Sequence, residues 1–104
     1  MLFDRLEHDF GEIPQASKEV KCTFDFTNDG DAPLVITRIV TSCSCTKAAY
    51  SRKPILPGEK STITIIYEPQ KKESGVFYKA IEVYSNATPK RQIIVIKGNA
   101  IEEE

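Results

Sequence analysis

Hydrophobic and polar residues alternate along most of this chain. Val20, Cys22, Phe24 and Phe26 are separated by Lys21, Thr23, Asp25 and Thr27. A period of two places the two sets on opposite faces of a β-strand, one apolar and one polar. The same alternation runs through Ser61–Tyr67, with Ile63, Ile65 and Tyr67 on one face and Thr62 and Thr64 on the other. That phase assigns Tyr67 to the core. The pattern returns in Val76–Ser85, where Phe77, Ile81 and Val83 are in phase, and in Arg91–Gly98, where Ile94 and Ile96 point inward. Leu34–Val40 is rich in β-branched residues and follows Pro33, which removes a donor where a ladder has only begun. Leu6–Phe10 reads as a short edge strand ended by Gly11 and Pro14.

Turn chemistry separates these runs. Asn28-Asp29-Gly30-Asp31 tolerates left-handed backbone angles, Pro57-Gly58 forms a second turn, and Asn86–Lys90 forms a third around Pro89. Glu68–Gly75 is polar and reads as a loop. No window of helical length spaces its apolar residues three and four apart. Some six or seven short, mainly antiparallel strands with regular turn signals predict an all-β sandwich, with a barrel of the same strand count as the competing architecture. One domain is expected over residues 1–104, with a core over about 6–100 and a solvated acidic tail at 102–104.

Composition narrows the function classes. Hydrophobic residues make up 40% and charged residues 28% of the chain, which suits a folded domain rather than a disordered one. The net charge of −1 supplies no global field for nucleic acid or an anionic membrane. Lys47, Arg52, Lys53 and Lys60 are too dispersed to form a nucleic-acid stripe. No run approaches the roughly 20 apolar residues that span a bilayer, so direct membrane insertion is not expected. Met1-Leu2-Phe3-Asp4-Arg5 lacks the basic start and apolar core of a secretory signal. Phosphate-cradling glycine loops, paired catalytic carboxylates and metal-spaced histidines are missing from the sequence, and no catalytic residue is assigned.

The candidate chemistry lies in the cysteines. Cys43-Ser44-Cys45 sets two thiols one residue apart, and Cys22 is the third of three cysteines, an odd number that cannot pair fully within one chain. Folding Val20–Asn28 back on Leu34–Val40 brings Cys22 to the height of Val40 or Thr41, just short of Cys43. His8 is within reach of the same end. Three readings stay open: packed or free thiols, a disulfide, or a metal site. Among disulfides, Cys22–Cys43 and Cys22–Cys45 are geometrically easier than the tiny Cys43–Cys45 ring. Three thiolates and one imidazole suit tetrahedral zinc, and thiolates alone suit Cu(I), but Cys-x-Cys is shorter than structural zinc spacings. As a general base His8 has no orienting group or partner nucleophile, which favours an edge-strand histidine. Tyr78 and Tyr84 share the face opposite Ile81 and Val83, and this makes them the candidate contacts for a protein partner.

Several segments carry a family resemblance in this order: His8-Asp9-Phe10-Gly11-Glu12-Ile13-Pro14, Phe24–Ile36, Thr41-Ser42-Cys43-Ser44-Cys45-Thr46, Ile55-Leu56-Pro57-Gly58-Glu59, Tyr84-Ser85-Asn86 and Ile96-Lys97-Gly98-Asn99. Together they resemble DUF1573, a bacterial family of unknown function related to the Hydin, ASH and major sperm protein modules. The resemblance spans Phe10 to Ala100. It implies an immunoglobulin-like sandwich and a periplasmic, cell-surface or secreted setting, with no established activity. Members usually read Ser-Cys-Gly-Cys-Thr where this chain has Ser44 between the thiols, and serine takes left-handed angles less readily than glycine. The expected role is a non-enzymatic protein-interaction or structural module without a cofactor. The alternative is a metal-binding (Cu(I) or Zn) or thiol-redox module built on the Cys-x-Cys loop.

Overall fold

A computed structural model describes residues 1–14, 19–41, 44–69 and 75–101. Its strands are β1 (Leu2–Phe3), β2 (Glu7–Pro14), β3 (Val20–Thr27), β4 (Ile36–Thr41), β5 (Thr46–Ala49), β6 (Lys60–Tyr67), β7 (Gly75–Ser85) and β8 (Arg91–Ile101). They form two four-stranded sheets, β1-β3-β6-β5 and β2-β8-β7-β4. The protein is therefore an all-β sandwich rather than a closed barrel. β2 runs parallel to β8, and every other described pairing is antiparallel.

The alternating residues explain the layering. In the first sheet Phe24 lies opposite Ile63 and Cys22 opposite Ile65. All four side chains are buried. In the second sheet Ile81 lies opposite Ile94 and Phe77 opposite Gly98. The two apolar faces close on each other, with Tyr67 of β6 stacked on Phe77 of β7 at 4.5 Å between ring centroids and 23° between planes. Gly98 makes room for that stack: a Cβ there would lie 2.8 Å from Phe77 Cζ and 3.0 Å from the Gly11 carbonyl oxygen. Every buried side-chain nitrogen and oxygen among the described residues has a hydrogen-bond partner.

The turns follow their sequence chemistry. Glu59 N donates to Leu56 O at 3.0 Å. Gly58, third of the four residues, has φ of 85°. Pro then Gly at the centre is the type II arrangement. Asn28 does more than turn the chain. Its Nδ2 donates to Ala32 O and Ile55 O, both at 2.8 Å, and its Oδ1 accepts from Gly30 N at 3.0 Å. It is buried and ties three segments together.

Two strands were not expected from the sequence, and β2 and β8 run farther than expected, β8 to Ile101 rather than Gly98. β1 has only two residues and β5 only four. β2 does not stop at Gly11 but continues to Pro14 across a bulge, where Phe10 and Gly11 together oppose Gly98. Gly11 has φ of 69°, which lets the strand resume. The acidic tail at 102–104 lies outside the described residues, as does most of the Glu68–Gly75 loop.

Phe24 and Ile65 are fully buried on the first sheet's inner face. Phe24→Ala is expected to cost about 3–5 kcal/mol and Ile65→Ala about 2–5 kcal/mol of folding stability. Urea unfolding measures both, and near wild-type midpoints would mean that the inner face is wrongly assigned.

Candidate functional site

The chain crosses from the first sheet to the second between Phe3 and Glu7, and Arg5 sits at that crossing. Its Nη2 donates to Thr23 O of β3 at 2.7 Å. Its Nη1 donates to His8 Nδ1 at 2.7 Å, and its guanidinium carbon lies 5.3 Å from the Phe24 ring centroid. Arginine has no lone pair to offer, so His8 Nδ1 accepts and the imidazole is neutral with its proton on Nε2. Partial burial and the Arg5 charge both lower the His8 pKa, while Asp9 opposes them. His8 also meets Phe10 edge-on at 4.6 Å. One ring nitrogen is thus committed to holding the N-terminal crossing.

Cys22 is a free, buried thiol. Burial pushes its pKa up to about 11, against a smaller downward pull from Arg5. It is protonated at neutral pH, which suits neither nucleophilic attack nor metal ligation.

Cys45 is in a disulfide, and the free state of Cys22 removes the Cys22–Cys45 and Cys22–Cys43 bridges that the sequence left open. The reason is topological. Cys22 and Ala48 both pair with Ile65, from opposite sides of β6. β6 therefore stands between the Cys22 strand and the strand that Cys45 precedes. Two strand spacings amount to about 9–10 Å, beyond the roughly 4.4–6.8 Å between Cα atoms that a disulfide spans. Folding β3 directly onto β4 misleads, because those strands belong to different sheets.

Cys45 is buried just before β5. Its carbonyl accepts from Glu68 N at 2.8 Å, and its Sγ lies 3.7 Å from Thr46 Oγ1. Cys43 lies outside the described residues. Among the described residues no three His, Cys, Asp or Glu side chains gather to hold a metal ion.

The two tyrosines sit on the outer face of the second sheet but do not form one patch. Tyr78 is strongly exposed and lies opposite Lys97. Six residues along β7, about 20 Å away, Tyr84 is half-buried. Its hydroxyl donates to Glu82 Oε2 at 3.0 Å, and Arg38 stacks 4.2 Å from its ring centroid. Arg91 Nη1 holds the other Glu82 oxygen at 3.2 Å.

Between the tyrosines lies a shallow hollow of about 250 Å³, lined by Val40, Ala80, Glu82 and Ile93. Cross-strand register places Val40, Glu82 and Ile93 in one row and Arg38, Tyr84 and Arg91 in the next. Sequence phase found the face. It missed Val40, Ile93 and Arg38, because which strands are neighbours is not readable from alternation within one strand.

Two solution measurements follow from this geometry. A depressed His8 pKa means that the unfolded chain binds the proton first as pH falls. Folding stability therefore declines below about pH 6.5, the ordinary histidine value, and goes on declining until pH drops below the folded-state pKa. Thermal melts between pH 7.5 and 5 should show a smaller loss in His8→Gln than in the parent, and equal losses would refute the assignment. Cys22 should resist a thiol reagent at pH 8 in the native protein and react fully in denaturant. Rapid native labelling of Cys22 would contradict its burial.

The comparisons with known proteins agree with this architecture. A protein of unknown function from Porphyromonas gingivalis W83 superposes with a TM-score of 0.81 at 19% identity, covering 94% of this chain and 46% of that one. The Vibrio cholerae VesB protease matches with a TM-score of 0.75 at 15% identity over 94% of this chain and 31% of that one. An ASH/PapD-like domain of human CEP192 matches with a TM-score of 0.74 at 10% identity over 98% and 85%. The Pseudomonas aeruginosa CupB2 chaperone matches with a TM-score of 0.64 at 12% identity over 95% and 55%. This chain spans less than half of each of the first two proteins. At these identities the likeness concerns the fold, an immunoglobulin-like, PapD-like sandwich. No curated protein sequence matches the chain. The model of one family, described as a protein of unknown function, covers residues 1–100, and the chain belongs to that family, DUF1573.

Proposed function

We propose that this domain is a non-enzymatic protein-interaction module of the bacterial cell envelope. The observation that carries the reading is the outer face of the second sheet, where Val40, Tyr78 and Ile93 stand exposed around a shallow hollow. Exposed apolar side chains in contiguous rows, rimmed by charge, mark contact surfaces. The groups with catalytic potential are otherwise engaged: His8 Nδ1 is held by Arg5, and Cys22 is a buried thiol. A chaperone and a PapD-like domain among the structural neighbours lend support to a binding role, and the family resemblance supports an extracytoplasmic setting.

The disulfide at Cys45 favours a second reading, a thiol-redox module. The metal-binding form of that reading rests on Cys43 and Cys45 alone once Cys22 is removed from the ligand set. Elemental analysis with thiol titration before and after reduction separates these: stoichiometric metal favours a metal site, and partner retention that changes on reduction favours redox control.

The interaction reading is tested by passing bacterial envelope extract over the immobilised domain. A retained protein that is lost with Ile93→Asp is the expected result. Failure to retain any partner, together with turnover of a substrate by the purified domain, would overturn it.

A further inference from the structure

We infer that the free edge of β4 binds an extended segment of a different protein, one carrying an acidic residue two positions from an aliphatic one. The inference rests on the interaction reading above and assigns it a site and a partner chemistry.

β4 is an edge strand of the second sheet, with β7 on one side only. Its approach is tied by the Leu34–Ile55 pair, an irregularity separates Ile36 from Arg38, and Thr41 Oγ1 donates to Thr46 O at 3.1 Å, so the edge on offer is Arg38–Val40. An edge presents unpaired amides and carbonyls that an added strand can complete. Arg38 and Val40 point to the outer face, opposite Tyr84 and Glu82. Arg38 lies over the Tyr84 ring, its guanidinium carbon 4.2 Å from the centroid, which keeps the charge beside the edge. Its obvious internal partner is already taken, because Arg91 and the Tyr84 hydroxyl occupy the two oxygens of Glu82. Among the described residues Arg38 forms no ion pair. Next to it, Val40 and Ile93 line the apolar hollow.

Cross-strand neighbours on one face stand about 4.5–5.5 Å apart. A strand laid on β4 would therefore set one side chain against Arg38 and the side chain two residues away against Val40. A carboxylate complements the first position, since arginine and carboxylate pair in a fork. An aliphatic group fits the second and extends the hollow. The β4 edge of a second copy does not fit as the occupant. Arg38 is the only charged residue of β4, so no register of β4 against β4 brings a carboxylate to it.

The test titrates the ¹⁵N-labelled domain with the blocked peptide Lys-Asp-Thr-Val-Thr-Lys, whose Asp and Val share one face. Amide shifts should centre on Ile36–Thr41 and reach Tyr84. Arg38→Glu, whose shifts in the free spectrum should stay local to Tyr84 and its neighbours, should weaken binding about tenfold, equivalent to about 1.4 kcal/mol, and should favour Lys-Lys-Thr-Val-Thr-Lys instead. Shifts centred on β2 or β5, no shift of β4 at millimolar peptide, or equal affinity in Arg38→Glu would each overturn the assignment. So would sedimentation showing a dimer through β4. An extract partner retained equally by the Arg38→Glu domain would remove this site while leaving the interaction reading intact.

Discussion

Tyr67 and Phe77 lie nearly parallel across the gap between the sheets, their ring centroids 4.5 Å apart. Two flat groups stack this way only when each strand presents its ring at the same height, so the contact fixes the relative register of β6 and β7. The consequences spread outward. Phe77 needs an empty position on β8, which Gly98 supplies. Gly98 in turn faces the bulge at Phe10 and Gly11, whose carbonyl closes on the same space. Phe10 then turns towards Phe77 at 6.4 Å and carries the aromatic contact on to His8. A single stacked pair thus links both sheets to the parallel strand at the edge.

The switch of the N-terminal segment between sheets is the second constraint. β1 pairs with β3 and β2 with β8, only a few residues apart. The crossing exposes the flank of Phe24, and Arg5 covers it while bonding Thr23 O and His8. Here a cation works as packing material, its planar head shielding an aromatic side chain and satisfying two acceptors. The same cation makes the surroundings of His8 and Cys22 electropositive, which is unfavourable for a bound metal cation.

Much of this was legible in the chain, and the limits have physical causes. Alternation identified β3, β6, β7 and β8, because each buries one face and exposes the other. The Pro57-Gly58 turn followed from backbone chemistry alone. β5 escaped notice because Thr46-Lys47-Ala48-Ala49 has no large apolar residue to mark a phase. β1 is too short to carry a period. The cysteines misled for a different reason: their separation depends on β6 lying between two strands, and strand order is a property of the whole sheet. Tyr84 was correctly placed on the outer face. Its partial cover comes from Arg38, a residue nearly fifty positions away that only sheet pairing brings close.

The two edges of the second sheet are unlike each other. Both outer strands carry an irregularity, β2 between Asp9 and Glu12 and β4 between Ile36 and Arg38, but β2 also ends in the ring of Pro14, while β4 runs in regular register from Arg38 to Thr41 where the aliphatic hollow opens. The sheet therefore has a direction of growth. On the reading proposed above, a guest strand would join at β4, while the bulge and Pro14 blunt the edge at β2. A module that grew in this one direction would act as a terminal cap for another protein's strand.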